Sequence, residues 1–235
     1  MALEDIASAA EEITGLAGRL SSPDIVRTSA LDVCEKYFSL TSPKDVPAFA
    51  AACVLMGYGL HKLPMTVGIL SKKSAEKNRY KMGRKFHKLC MFLSPEHLPP
   101  QAYVPLVCSE ISSEIHAELS PALQNRAIEI LDLAALRLQL HKNPAIYAAV
   151  AVYVAAIGPE YYIPITQRQT ADAMNVTEVT IHNKYKELSR CMGVPKAMAK
   201  EHRARMMIKP PKSVRDRQTE NKIFDEYFKG LKRES

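Results

Sequence analysis

Apolar residues recur at intervals of three and four through nearly the whole chain, and the period-two alternation of strands is almost absent. The pattern therefore predicts an all-α protein. Prolines and short polar breaks divide it into helices over residues 3–20, 23–40, 45–60, 65–72, 75–92, 100–117, 121–140, 144–157, 166–174 and 177–192. Two more are predicted beyond these, over 195–207 and 213–232. Pro23, Pro121 and Pro144 follow Ser22, Ser120 and Asn143, the order of a capping residue and a proline at the first helical position.

The pattern repeats. Ser22-Pro23 is matched 98 residues later by Ser120-Pro121, and the small-residue helix AFAAACVLMGYG (48–59) falls on IYAAVAVYVAAIG (146–158) at nearly the same shift. Farther on, RKFHKL (84–89) meets NKYKEL (183–188). The reading is two five-helix units in tandem, 1–95 and 96–193, followed by a basic extension, 194–235; the plainer alternative is one irregular bundle with chance similarity. A helix with small residues on every side suits the centre of a bundle, so the third helix of each unit is expected there.

Residues 166 to 188, TQRQTADAMNVTEVTIHNKYKEL, have the demands of a helix-turn-helix. A small residue for close crossing, a turn residue tolerant of left-handed geometry and a β-branched core residue are supplied by Ala171, Asn175 and Ile181. Asn175 with Glu178 would make a capping box for the second helix, and Thr177 is an alternative cap. An apolar stripe of Val176, Ile181, Tyr185 and Leu188 leaves Glu178, Val179, His182, Asn183 and Lys186 on the other face. On a recognition helix Val179 would touch a thymine methyl and His182 and Asn183 would read base edges. Lys184, Lys186, Arg168 and Arg190 would hold phosphates, with Thr177 at the entry of the helix. The alternative is a solvated face on which Val179 is an accidental surface residue.

Charge changes the picture at one further place. The chain carries a formal +7, and in SKKSAEKNRYKMGRKFHK (71–88) Lys72, Lys73, Lys77, Arg79, Lys81, Arg84, Lys85 and Lys88 have only Glu76 as a nearby acid. Such a cluster repels itself unless an anion lies against it, which favours a phosphate backbone over a merely solvated face. Lys72, Lys73, Lys77, Arg84 and Lys85 are the contacts expected from it.

Other chemistry is thin. Cys34, Cys53, Cys90, Cys108 and Cys191 are scattered without C-x-x-C spacing and are read as reduced core thiols. No glycine-rich phosphate loop, metal-ligand spacing or nucleophile motif is visible, and Cys108 and His116 have no orienting partner, so neither enzyme, cofactor nor metal is expected. The longest apolar run, Ala145 to Ile157, is too short to span a bilayer and is read as a buried helix; with an acidic N-terminus unlike a secretory signal, the chain reads as intracellular.

At this point the residues resemble a known family. VTEVTIHNKYKEL is similar to the second-repeat fingerprint of the core domain of transcription factor IIB, found in eukaryotes and archaea. KMGRKFHKL looks like a diverged first-repeat counterpart, so the resemblance covers about residues 5 to 192. It implies two cyclin-like five-helix repeats that straddle TATA-binding protein on bent promoter DNA and bridge it to RNA polymerase II, in the nucleus and as a monomer outside the complex. The valine and arginine of the family's V-T-I-R carry base contacts, and Val179 and His182 stand in those places. Histidine is shorter and cannot make arginine's bidentate guanine contact. The family's N-terminal zinc ribbon and linker are not seen, so the chain reads as a divergent eukaryotic member, a core fragment or a reduced form.

The extension departs further from the family pattern. It carries Lys196, Lys200, Arg203, Arg205, Lys209, Lys212, Arg215 and Arg217, then an amphipathic stripe of Ile223, Phe224, Tyr227, Phe228 and Leu231. That stripe would either pack back on the core, the reading favoured here, or hold a partner. A function from another class is a cyclin-type regulatory subunit of a protein kinase without DNA binding, which would have little use for the basic cluster or for residues 166–188.

Overall fold

The computed structural model describes residues 2–41, 45–74, 78–95, 97–158, 161 and 163–192. The chain divides between Leu98 and Pro99 into two compact units. The first holds α1 (Ala2–Arg19), α2 (Asp24–Thr41), α3 (Val46–Leu60), α4 (Val67–Lys73) and α5 (Arg79–Cys90). The second holds α6 (Pro100–Ile115), α7 (Pro121–Ala135), a 3-10 turn (Leu140–Lys142), α8 (Pro144–Ile157), α9 (Gln167–Met174) and α10 (Glu178–Cys191). Among the described residues there is no strand, so the fold is all-α.

Each unit is built round its small-residue helix. In α3 every residue from Ala48 to Tyr58 is buried, and in α8 every residue from Tyr147 to Ile157. Helices α1, α2 and α5 pack on α3, and α6, α7, α9 and α10 on α8. A helix that is apolar all round has no solvent face to offer, so it must be enclosed. Alanine and glycine let the neighbours come close. A Cβ built on Gly57 would lie 2.7 Å from the Val26 carbonyl oxygen, so the α2–α3 crossing requires a residue without one. In the first core Phe38 meets Phe49 edge-on with ring centroids 5.5 Å apart.

Of the three caps predicted ahead of a proline only Ser120 forms, accepting the Leu123 N–H. Helix α2 begins at Asp24, past Pro23, with the Ser22 hydroxyl 2.8 Å from that of Tyr58, and Asn143 makes no side-chain cap bond at the start of α8. Asp45, Thr66 and Thr166 cap three further helices by accepting a backbone N–H from the following turn. The two largest departures from the expected ends are in α5 and α7. Helix α5 begins at Arg79 and not at 75, because Asn78 accepts the N–H groups of Tyr80 and Lys81 at 3.0 and 3.2 Å. Helix α7 stops at Ala135 and not at 140; Leu140 is then buried at 4% exposure, and the Arg137 guanidinium donates to the Cys191 carbonyl at 3.1 Å.

Cys34, Cys53 and Cys108 are buried free thiols, and burial pushes Cys108 up to about 12. Cys90 and Cys191 correct the expectation of core burial, being half-buried at the last residues of α5 and α10. No helix among the described residues is long and apolar enough to cross a membrane. The predicted helices 195–207 and 213–232, with the stripe from Ile223 to Leu231, lie outside the described residues.

Candidate nucleic-acid interface

In the second unit α9 and α10 are the last helices among the described residues, held by local bonds that fix the angle between them. Thr166 Oγ1 accepts the Gln169 N–H at 3.0 Å and Gln169 Oε1 accepts the Thr166 N–H at 2.9 Å, a reciprocal capping box that starts α9. Asn175 is left-handed, with φ 49° and ψ 50°. Its N–H donates to the Asp172 carbonyl at 3.1 Å and the Val176 N–H to Ala171 at 2.9 Å, which closes α9 as a Schellman motif. Thr177 then starts α10 by accepting the Thr180 N–H at 3.2 Å. Of the two cap readings, Thr177 is the one formed, and Asn175 serves as the turn. Ala171 and Ile181 are both buried, filling the crossing as the spacing requires.

Ile181, Tyr185 and Leu188 are the buried stripe of α10, with Tyr185 edge-on to Tyr153 of α8 at 5.6 Å. Val176 stands before the helix and is half-buried. At about 100° per residue, Val179, Asn183, Lys186 and Arg190 fall on one line opposite that stripe. All four are exposed, Val179 by 65%. An apolar residue and an amide in the first half of the helix, followed by two cations, suit base edges and phosphates respectively.

Two expected contacts lie on the flanks of this line. His182 is half-buried, and its Nδ1 stands 3.1 Å from Gln167 Oε1. Lys184 is turned the other way: its Nζ lies 2.6 Å from Glu187 Oε2, 3.1 Å from the Tyr147 hydroxyl and 4.9 Å from the centre of that ring. Tyr147 in turn donates to Glu187 Oε1 at 2.7 Å. The Lys184 charge is thereby offset within the fold, and its geometry ties α10 to α8. Arg168 is exposed on α9 with Asp172 at 3.8 Å, a surface pair of small energy.

The bond from Lys184, and then that from Tyr147, hold the Glu187 carboxyl below its usual range. A carboxyl depressed on folding contributes stability above its unfolded pKa, about 4.3, and that contribution is lost as pH falls through the lower folded value. Glu187→Gln should therefore cost about 1 kcal/mol at neutral pH. The difference from the parent should close as the pH is brought into the acid range, which urea titrations at neutral and acid pH would read.

In the first unit Lys72 and Lys73 are exposed at the end of α4, and the Lys73 carbonyl accepts Arg19 Nε at 2.9 Å. Arg84 is exposed on α5 with its guanidinium 5.1 Å from the centre of the exposed Tyr80 ring. Lys85 is half-buried beside them. Burial first, then the charge of Lys88, lowers its pKa; Asp45 opposes the shift and Arg84 adds to it. An anion arriving here would relieve that repulsion. Glu76 is not the cluster's sole acid: Asp45 pairs with Lys81 at 2.9 Å, and that bond depresses the Asp45 carboxyl. Lys77 lies outside the described residues.

Among the described residues no group of three or more His, Cys, Asp or Glu side chains is placed to hold a metal ion. No protein-family model matches the chain. Individual relatives do. Transcription initiation factor IIB 1 of Thermococcus kodakarensis is 33% identical over 193 residues, covering 78% of this chain and 61% of that protein. The transcription initiation factor IIB of Methanosphaerula palustris is 32% identical over 198 residues, 81% of this chain and 56% of the relative. Transcription initiation factor IIB 7 of Halobacterium salinarum is 31% identical over 191 residues, 79% and 56% respectively. The chain thus spans between half and two thirds of the length of these curated relatives. Across about four fifths of its own length, the chain is similar in sequence to these transcription initiation factor IIB proteins.

Proposed function

We propose that this chain is the core of a general transcription initiation factor, which binds promoter DNA together with TATA-binding protein and bridges the complex to RNA polymerase. The observation that carries the reading is the exposed line of Val179, Asn183, Lys186 and Arg190 on the second helix of a capped helix-turn-helix. In it Val179 meets a thymine methyl, Asn183 a purine edge, and Lys186, Arg190 and Arg168 the phosphates flanking the groove, with Thr177 at the helix entry. Lys72, Lys73, Arg84 and Lys85 hold phosphates for the first unit. Residues 1–95 and 96–193 act as the two cyclin-like repeats, and 194–235 as a basic extension.

Transcription factors, and not enzymes, are what the quoted relatives are named as, which supports a non-catalytic role. No observation favours the kinase-regulator alternative. The quoted relatives are archaeal, so a eukaryotic placement and a nuclear location draw no support from them. Titration of a TATA-box duplex with and without TATA-binding protein tests the reading. A complex that loosens steeply as salt rises is expected; absence of any complex at moderate salt would reject it.

A further inference from the structure

The pairing of Gln167 with His182 has a consequence for which bases the helix selects. Gln167 is 8% exposed at the start of α9, and its Oε1 lies 3.1 Å from His182 Nδ1 on α10. With Gln167 turned so that its amide oxygen, which only accepts, faces the ring, Nδ1 carries the proton. In a neutral imidazole the other nitrogen is then left bare, so Nε2 is an acceptor with no hydrogen to give. We propose that Gln167 is a positioning residue which fixes this tautomer, and that His182 thereby selects an exocyclic amino group, adenine N6 or cytosine N4, in the major groove.

This rests on the DNA-binding reading above and deepens it. Amino bases offer a hydrogen in the major groove where guanine and thymine offer O6 and O4, which are acceptors. An Nε2 lone pair facing a keto oxygen would repel it and leave both groups unpaired, so discrimination follows from the proton's position. Every base pair contains one amino and one keto base. The preference is therefore tied to a strand: at one position, inverting the pair should weaken binding. Charging the ring removes the preference, because imidazolium has a hydrogen on both nitrogens. The charged groups on the elements around the ring are Glu178 and Lys186, each one turn away on α10, and Arg168 and Asp172 on α9. Helix α8, which also packs on α10, carries no charged side chain, and its only titratable groups are Tyr147 and Tyr153.

Two measurements on the full chain test the inference. The imidazole 15N spectrum of His182 in the free protein at neutral pH should show the Nδ1–H tautomer in the parent. The Nε2–H tautomer there overturns the proposal whatever the DNA does. Competition anisotropy with duplexes inverted one base pair at a time, in the presence of TATA-binding protein, should show one position with about a five-fold preference for the amino base on the contacted strand. Gln167→Glu is close to isosteric and favours imidazolium through its carboxylate, so it should reverse the preference toward guanine or thymine at neutral pH. His182→Arg should prefer guanine. Salt-dependent binding with no such position, or a preference indifferent to Gln167→Glu, overturns this inference and leaves the DNA reading standing. Absence of duplex binding overturns both.

Discussion

Lys186→Glu combined with Arg190→Glu should weaken duplex binding about a hundred-fold at roughly 0.1 M salt, and should flatten the dependence of log affinity on log salt by about two. Both side chains are exposed on the line that begins with Val179 and Asn183. Each cation that neutralises a phosphate displaces a counterion, and its replacement by a carboxylate adds repulsion to the lost contact. The effect should be uniform over DNA sequences, because phosphates carry no base information. Lys184→Glu makes the instructive comparison. It sets a carboxylate against Glu187, which now sits 2.6 Å from the ammonium, and it strips the Tyr147 hydroxyl of its donor from Lys184. Its damage should appear in the unfolding midpoint before it appears in the salt slope. Fluorescence anisotropy across ionic strength, with a urea melt on each variant, separates the two.

The largest loss of stability is expected from Gly57→Val, about 3 kcal/mol or more. The first atom added is already 2.7 Å from the Val26 carbonyl oxygen and 3.3 Å from Val26 Cγ1, and Ala30 N follows at 3.5 Å. These atoms include helix backbone, so relief requires α2 to move away from α3. Such a shift would loosen contacts along the central helix from Ala48 to Tyr58, where no residue has a solvent side to yield into. Gly83→Ala serves as the control. Glycine costs a helix interior about 1 kcal/mol relative to alanine, and a Cβ at Gly83 in α5 meets nothing within 4 Å. It should raise the denaturation midpoint where Gly57→Val lowers it, as thermal melts of the two variants would show.

The two central helices were legible because enclosure on all sides leaves a compositional trace: no window of AFAAACVLMGYG or IYAAVAVYVAAI has a polar face. The turn at Asn175 was legible for a similar reason, since left-handed geometry narrows the choice of residue. Among the described residues, three other non-glycine left-handed positions, Ser21, Lys62 and His116, carry residues that do not announce them. The overlooked capping box of Thr166 and Gln169 did have a signal, the T-x-x-Q spacing itself.

Within the candidate interface, what helical periodicity governs was readable and what long side chains decide was not. The spacing of Val179, Asn183 and Lys186 fixes a common face. Lys184 and Glu187 stand at i, i+3, so their pairing was within reach of the sequence; that Tyr147, far away in the chain, bonds to both was not. Asp45 and Lys81 meet across a similar gap in sequence, which hid the second acid of the basic cluster. The Gln167–His182 bond depends on the crossing of α9 with α10, and a local pattern does not encode it.

The salt slope for binding TATA-box duplex in the presence of TATA-binding protein tests the central claim most directly. Lys72, Lys73, Arg84, Lys85, Arg168, Lys186 and Arg190 are the cations assigned to phosphates, and full engagement predicts a slope of about −6 in log affinity against log salt. A slope near zero, or one unchanged by Lys186→Glu with Arg190→Glu, would contradict the account.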